Sequence, residues 1–217
     1  MDNYVITVAR GFGSGGKRIA SKLANELGIN CYENRILTLA SQMSGLDEQL
    51  FREVNEKLRE KKVSFFLRGL PRTNRPKPEE NEFASDEHLF EIQKQIIEQL
   101  AESESCVIVG KCADWILKDK FNVVSIYIEA PRRFCVKRVM ERMGVNEETA
   151  HISIEKTDKY RAAYYEHYTG GNYWTNPVNY DLTLNSERVG IDNCVQVIKD
   201  YLKLRFPDIE FSETKPE

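Results

Sequence analysis

Four apolar runs in this 217-residue chain, YVITVA (4–9), CVIVG (106–110), VVSIYIEA (123–130) and YDLTL (180–184), lack the regular polar alternation of a strand wetted on one face. Strands of that kind are covered on both sides. INCY (29–32) is a shorter candidate for the same sheet. Between the runs, apolar residues recur at helical spacing: Ile19, Leu23, Ala24 and Leu27, then Leu89, Phe90, Gln93, Ile96, Ile97 and Leu100. After Gly190 the habit returns with Cys194, Val197, Ile198, Tyr201 and Leu202. Parallel strands need long crossovers and helices supply them, so the alternation predicts an α/β fold, a parallel sheet with helices on both faces.

With 41% hydrophobic residues, the chain can bury one core and carry a small insertion, but not two full domains. A formal charge of -3 speaks against a nucleic-acid binder or a protein that docks on anionic membranes, because both need a broad basic excess. The five cysteines form no CxxC pair and are odd in number, which predicts reduced thiols and a cytoplasmic protein. No apolar stretch reaches the roughly 18 residues of a membrane span, and MDNYVITV carries no export signal. One segment breaks the rhythm. GLDEQLFREVNEKLREKK reads as a charged helix, and FFLRGLPRTNRPKPEENEFASDE, with three prolines, as an insertion or flap that is mobile near Pro71 to Glu82.

The first apolar run leads into ARGFGSGGKRIASKLANELG (9–28), a strand, a glycine-rich turn and a helix. In that setting backbone N–H groups and the helix dipole converge on an anion. Gly11, Gly16 and Lys17 satisfy the spacing GxxxxGK, and Gly13, Ser14 and Gly15 fill it. Position 18 is Arg, where the nucleotide-binding pattern has Ser or Thr for magnesium. A tight strand-to-helix turn without a ligand is the alternative reading. Further on, Arg138 and Arg142 are four residues apart on one helix face, with Arg133 about a turn earlier, and Asp158 and Arg161 are three apart. Solvated helices with routine ion pairs would show the same spacings. Gly110 and Lys111 end a strand where ligands enter open α/β sheets. Tyr160, Tyr164 and Tyr168 have the spacing of helix packing, and Gly170 and Gly171 end that helix. His88, His151 and His167 are scattered without metal-ligand spacing, and no GxSxG elbow marks a hydrolase.

GFGSGGKRIASKLANELG, LFEIQKQIIEQLAESESCVIVGKCADWIL, ERMGVNEETAHISIEKTDKYRAAYYEHYTG and NYDLTLNSERVGIDNCVQVI together resemble the cytidylate kinase-like family, relatives of the nucleoside monophosphate kinases among P-loop phosphotransferases. The resemblance runs in order along nearly the whole chain. It implies a single domain with a five-stranded parallel core, ATP and Mg²⁺ as cofactors, and a small-molecule nucleotide as acceptor. An acceptor-binding insertion would span 44–86 and an arginine-bearing lid 144–176. Lys17, Arg161, Asp158 and Arg142 would be catalytic. Gly11, Gly13, Ser14, Gly15, Gly16, Lys17, Arg18 and Arg138 would hold the donor, and Arg35 and Lys111 the acceptor. A gap-free match to the family's loop sets Gly16 on its lysine, Lys17 on a glycine and Arg18 on its metal-contacting Thr. A second register restores the lysine but lengthens the helix by one residue. The two differ physically, since one helical residue swings a side chain by about 100°. Arg18 cannot ligate magnesium, and Ser14 is the hydroxyl that could compensate.

Overall fold

The structure, a computed structural model, describes residues 3–33, 35–44 and 86–209. Met1–Glu33 with Ile97–Glu217 form one compact unit, and Asn34–Ile96 a second. Both segments of the expected flap, the charged helix after Gly45 and the proline-rich stretch, lie outside the described residues, apart from their last two positions.

The first unit contains the sheet. Strands β1 (Val5–Arg10), β2 (Asn30–Tyr32), β3 (Cys106–Val109), β4 (Val123–Glu129) and β5 (Leu182–Asn185) lie in the order β2-β3-β1-β4-β5. Every neighbouring pair is parallel. All four long apolar runs and the short INCY run became strands, in agreement with the five-stranded expectation. β1 is the middle strand, with Val5 opposite both Cys106 and Val123 and Arg10 opposite Ile128.

The helices explain why these strands are apolar throughout. α1 (Gly16–Glu26) and the C-terminal helix Ile191–Arg205 cover one face, where Ile6, Val8, Ile19, Leu23, Ile126 and Ile198 are fully buried together. On the opposite face of β1 and β4 the buried hydroxyl of Thr7 donates to Ser125 Oγ at 3.0 Å, so two polar groups there satisfy each other. The remaining helices, in chain order, are α2 (Arg35–Ser44), α3 (Asp86–Ser103), α4 (Ala113–Ile116), α5 (Arg132–Met143), α6 (Glu147–Tyr168) and α7 (Ser186–Val189), with Ile191–Arg205 as α8. α3 buries Leu89, Gln93, Ile96 and Ile97, the face foreseen from spacing. Along α6 the tyrosine series does pack on itself, with ring centroids 6.1 Å apart for Tyr160 and Tyr164 and 4.7 Å for Tyr164 and Tyr168.

All five cysteines are free thiols. Burial pushes Cys106 and Cys135 up to about 12, so neither is a nucleophile at neutral pH. Among the described residues no helix is long and apolar enough to cross a membrane.

Ile6 lies on the central strand at 0% exposure within the main cluster. Replacing it with Ala leaves a cavity that cannot close from either side. Ile6→Ala is expected to cost about 2–5 kcal/mol in urea unfolding, with an unchanged dependence on denaturant.

Candidate active site

Because all strands run the same way, their C-terminal ends share one edge of the sheet. Read across it, that edge carries Glu33 just past β2, Gly110 and Lys111 just past β3, Arg10 ending β1 and Glu129 ending β4. In open α/β sheets this is the edge that meets ligands.

The glycine-rich turn rises from the middle of that edge. Five residues, Gly11 to Gly15, connect β1 to α1. Gly13 has φ +88°, and a side chain there would begin 2.8 Å from the Cys135 carbonyl oxygen, a backbone atom of α5. Both its dihedral and this close approach require glycine. Gly15 caps α1 in the left-handed region without a side-chain bond. Ser14 is completely buried, its hydroxyl donating to the Gly11 carbonyl at 2.9 Å and accepting the Gly16 N–H at 3.3 Å. The Ser186 hydroxyl of α7 donates to the Ser14 carbonyl. The loop is therefore fixed from inside and from three helices.

α6 is bonded to the same loop. The Phe12 N–H donates to Asp158 Oδ1 at 2.9 Å, and Arg161 Nη1 donates to the Arg10 carbonyl at 2.9 Å and to Asp158 Oδ1 at 3.2 Å. Burial lifts the Asp158 pKa, against the pull of Arg161 and the Phe12 N–H, and burial lowers that of Arg161. The cations Arg142 and Arg161 lie 5.1 and 5.7 Å from the centre of the Phe12 ring. Arg138 packs on the loop as well, its Nη2 3.2 Å from where a Gly15 side chain would start. Arg133, by contrast, turns to Glu187 at 3.3 Å.

Lys17 and Arg18 are both exposed. Lys17 pairs with Glu33 Oε2, and Arg18 lies near Asp192 at the start of α8, whose carboxyl it helps hold below the ordinary range after Lys22. Lys111 is half-buried and has φ +62°, followed by Cys112 at +55°, so the chain after β3 holds two non-glycine residues in the left-handed region. Arg35 opens α2 in the second unit and is exposed.

Three members of the site carried no motif signal: Arg10, Glu33 and Glu129. Glu129 accepts from Tyr127 Oη at 2.6 Å and from the Ala130 N–H at 2.9 Å. Its carboxylate lies where a Gly11 side chain would start. Glu33 bridges Arg10 and Lys17. Burial works upward on its pKa, but the bonds and charges of Lys17 and Arg10 outweigh that and hold it below the ordinary value. A parallel sheet is what joins them, and the order of strands is the signal that would have found them.

The donor set does not fit a magnesium ion ligated by the loop. Position 18 is Arg, the Ser14 hydroxyl is engaged within the turn, and Glu33, Asp158 and Glu129 each have cationic or N–H partners. Among the described residues no three acidic, His or Cys side chains group as a metal site.

The strand order and the loop between β1 and α1 define a kinase-type P-loop α/β protein. Comparison makes this specific: the model of the cytidylate kinase-like family matches residues 5–188, and the chain belongs to that family. A cytidylate kinase of Saccharolobus islandicus (strain Y.G.57.14 / Yellowstone #1) is 26% identical over 205 residues, 92% of this chain and 91% of the relative. One of Natronomonas pharaonis is 25% identical over 213 residues, 98% and 96% of the two chains. The crystal structure of an uncharacterized protein from Eubacterium ventriosum superposes with a TM-score of 0.67 at 29% identity, covering 93% of this chain and 99% of that one. A shikimate kinase from Bacteroides thetaiotaomicron, at 13% identity and a TM-score of 0.51 over 92% of this chain and 98% of its own, shares the fold.

A buried acid ties the end of β3 to α6. Asp114, at 5% exposure, accepts from Tyr165 Oη at 2.7 Å. Burial raises its pKa from 3.8 to about 6, opposed by the Tyr165 hydroxyl and two backbone N–H groups. The folded state thus holds a proton that the unfolded chain has lost between these values, so stability falls as pH rises from about 4 to about 6. The difference is on the order of 3 kcal/mol. Asp114→Asn is expected to remove this contribution, so that chemical denaturation shows a smaller fall in stability between about pH 4 and about pH 6 in the variant than in the wild type.

Proposed function

We propose that the protein transfers the terminal phosphoryl group of ATP to a nucleoside monophosphate, with a cytidylate-like acceptor. Support comes from family membership, from the named activity of the relatives and, above all, from one observation: the Asp158–Arg161 pair is bonded directly to the backbone of the glycine-rich loop. Phosphoryl transfer asks little covalent chemistry of a protein. It needs an in-line geometry and fixed positive charge around the moving group.

In this reading the N–H groups of Gly13, Gly15, Lys17 and Arg18 receive the ATP phosphates at the start of α1, while those of Gly11, Phe12, Ser14 and Gly16 hold the turn in shape. Arg161, oriented by Asp158, reaches the transferred group, and its planar fork suits two phosphoryl oxygens better than an ammonium would. Arg138 and Arg142 flank the donor, and Lys111 faces the acceptor. An acceptor phosphate oxygen forms the new bond to the γ-phosphorus as the bond to the bridging oxygen breaks, and ADP departs with that electron pair. No proton must be removed from an ionised acceptor phosphate. The 144–176 segment then acts as a lid held to the turn near its middle, at Asp158 and Arg161.

Incubation with MgATP and a panel of nucleoside monophosphates tests the assignment by diphosphate formation. CDP from CMP is the expected product. The exposed Arg18 and the engaged Ser14 favour one second reading, a nucleotide-binding protein without transfer, which tight ATP binding with no diphosphate from any acceptor would establish. Arg161→Ala is expected to lower kcat by about 100-fold, with Arg161→Lys recovering a minor part, both measured by coupled ADP release.

A further inference from the structure

Resting on the phosphoryl-transfer reading, we propose that Arg10, at the end of the central strand, is the half-buried cation that meets the ATP polyphosphate, in the place where a lysine on α1 would otherwise do so.

Gly16 is the first residue of α1, and a side chain there would begin 2.5 Å from Arg10 Cβ, 3.2 Å from Arg10 Cγ and 3.1 Å from Ile128 Cβ. Neither Cβ is a flexible end that could move aside. The stem of Arg10 therefore fills the space that a side chain on the first helical residue would use. Its far end runs on to Gly110 past β3, where an added Cβ would lie 2.3 Å from Arg10 Nη1. One arginine so spans from the foot of α1 to the ligand-facing end of β3, with a residue lacking a side chain at each end of its path.

The charges agree with this. A guanidinium has five N–H donors, and Arg10 uses one with a described side chain, Nη2 to Glu33 Oε1 at 3.2 Å. It is 17% exposed, while Lys17 is 60% exposed. Arg161 bonds to Arg10's own carbonyl, and its charge acts on that of Arg10, so two half-buried guanidiniums lie near each other. Burial first, then Arg161, push the Arg10 pKa down to about 10, which leaves it charged at neutral pH. Half-buried like charges side by side are costly without anions beside them, and here Glu33 and Asp158 supply one each. Glu33 gives one oxygen to Arg10 and the other to Lys17, the bridging that a phosphate would make. An arriving polyphosphate takes over Glu33's role toward Arg10, and Lys17 follows from the rim.

Isothermal titration of the full chain with MgATP tests this on the wild type, Arg10→Met, Arg10→Lys and Lys17→Met. Arg10→Met is expected to weaken binding roughly tenfold or more, Arg10→Lys to restore part of it, and Lys17→Met to lose less than Arg10→Met. An Arg10→Met affinity within about threefold of wild type, or a larger loss in Lys17→Met, overturns the assignment. Should Arg10→Met fail to melt cooperatively, the Arg10 Nε–Hε resonance of the wild type answers the same question. A shift that saturates with MgATP supports the proposal, and an unmoved signal contradicts it. A wild type that binds no MgATP sinks the kinase reading itself, whereas wild-type binding that ignores Arg10 sinks only this inference.

Discussion

The turn from Gly11 to Gly15 must carry the chain from the middle of the sheet into a helix lying on that sheet within five residues. Such a short connection leaves room inside it for one small side chain, that of Ser14. Cys135 of α5 presses on Gly13, the Glu129 carboxylate on Gly11 and the Arg10 stem on Gly16. The rest of the site follows from this crowding. Side chains excluded from the turn come instead from the strand ends below it and from α5 and α6 beside it. The turn itself offers backbone N–H groups and a helix N-terminus, the fittings of an anion site.

Electrostatics complete the arrangement. Arg10, Arg161 and Lys17 face Glu33, Asp158 and Glu129, so these six inner groups balance, with Arg138, Arg142 and Lys111 in excess around them. Removing so many charges from water is expensive, and their pairing repays it only in part. What the balance provides is a set of cations that need not rearrange far to receive an anion. Asp158 anchors Arg161 to the loop backbone, while Glu33 holds Arg10 and Lys17 by exchangeable bonds. The contrast in anchoring distinguishes a fixed cation from two that can change partner. The second of these, Lys17, is largely solvated, and screening makes its pairing worth little.

Much of the scaffold was legible in the chain itself. Unbroken apolar strands separated by amphipathic helices predicted a parallel sheet, and INCY joined it at the edge beside β3. Asp158 and Arg161 stood out by spacing, and the structure brings both to the loop. Arg10 escaped notice because it ends an apolar strand and belongs to no pattern. Its neighbourhood with Gly110 and Glu33 exists only once the strands are ordered β2-β3-β1. Lys17 satisfied a motif by counting, yet a count along the chain does not say which way a helical residue points. Family resemblance supplied roles for Arg138, Arg142 and Lys111 that spacing alone left equal to ordinary surface charges.

The central claim is that the backbone between β1 and α1 grips a polyphosphate. Amide resonances followed during titration with ATP read this directly, residue by residue. The account predicts large, saturating shifts at Gly13, Gly15, Lys17 and Arg18, with smaller ones across the far ends of the strands. Binding of ATP that leaves those four amides unmoved, or no binding at all, would contradict it.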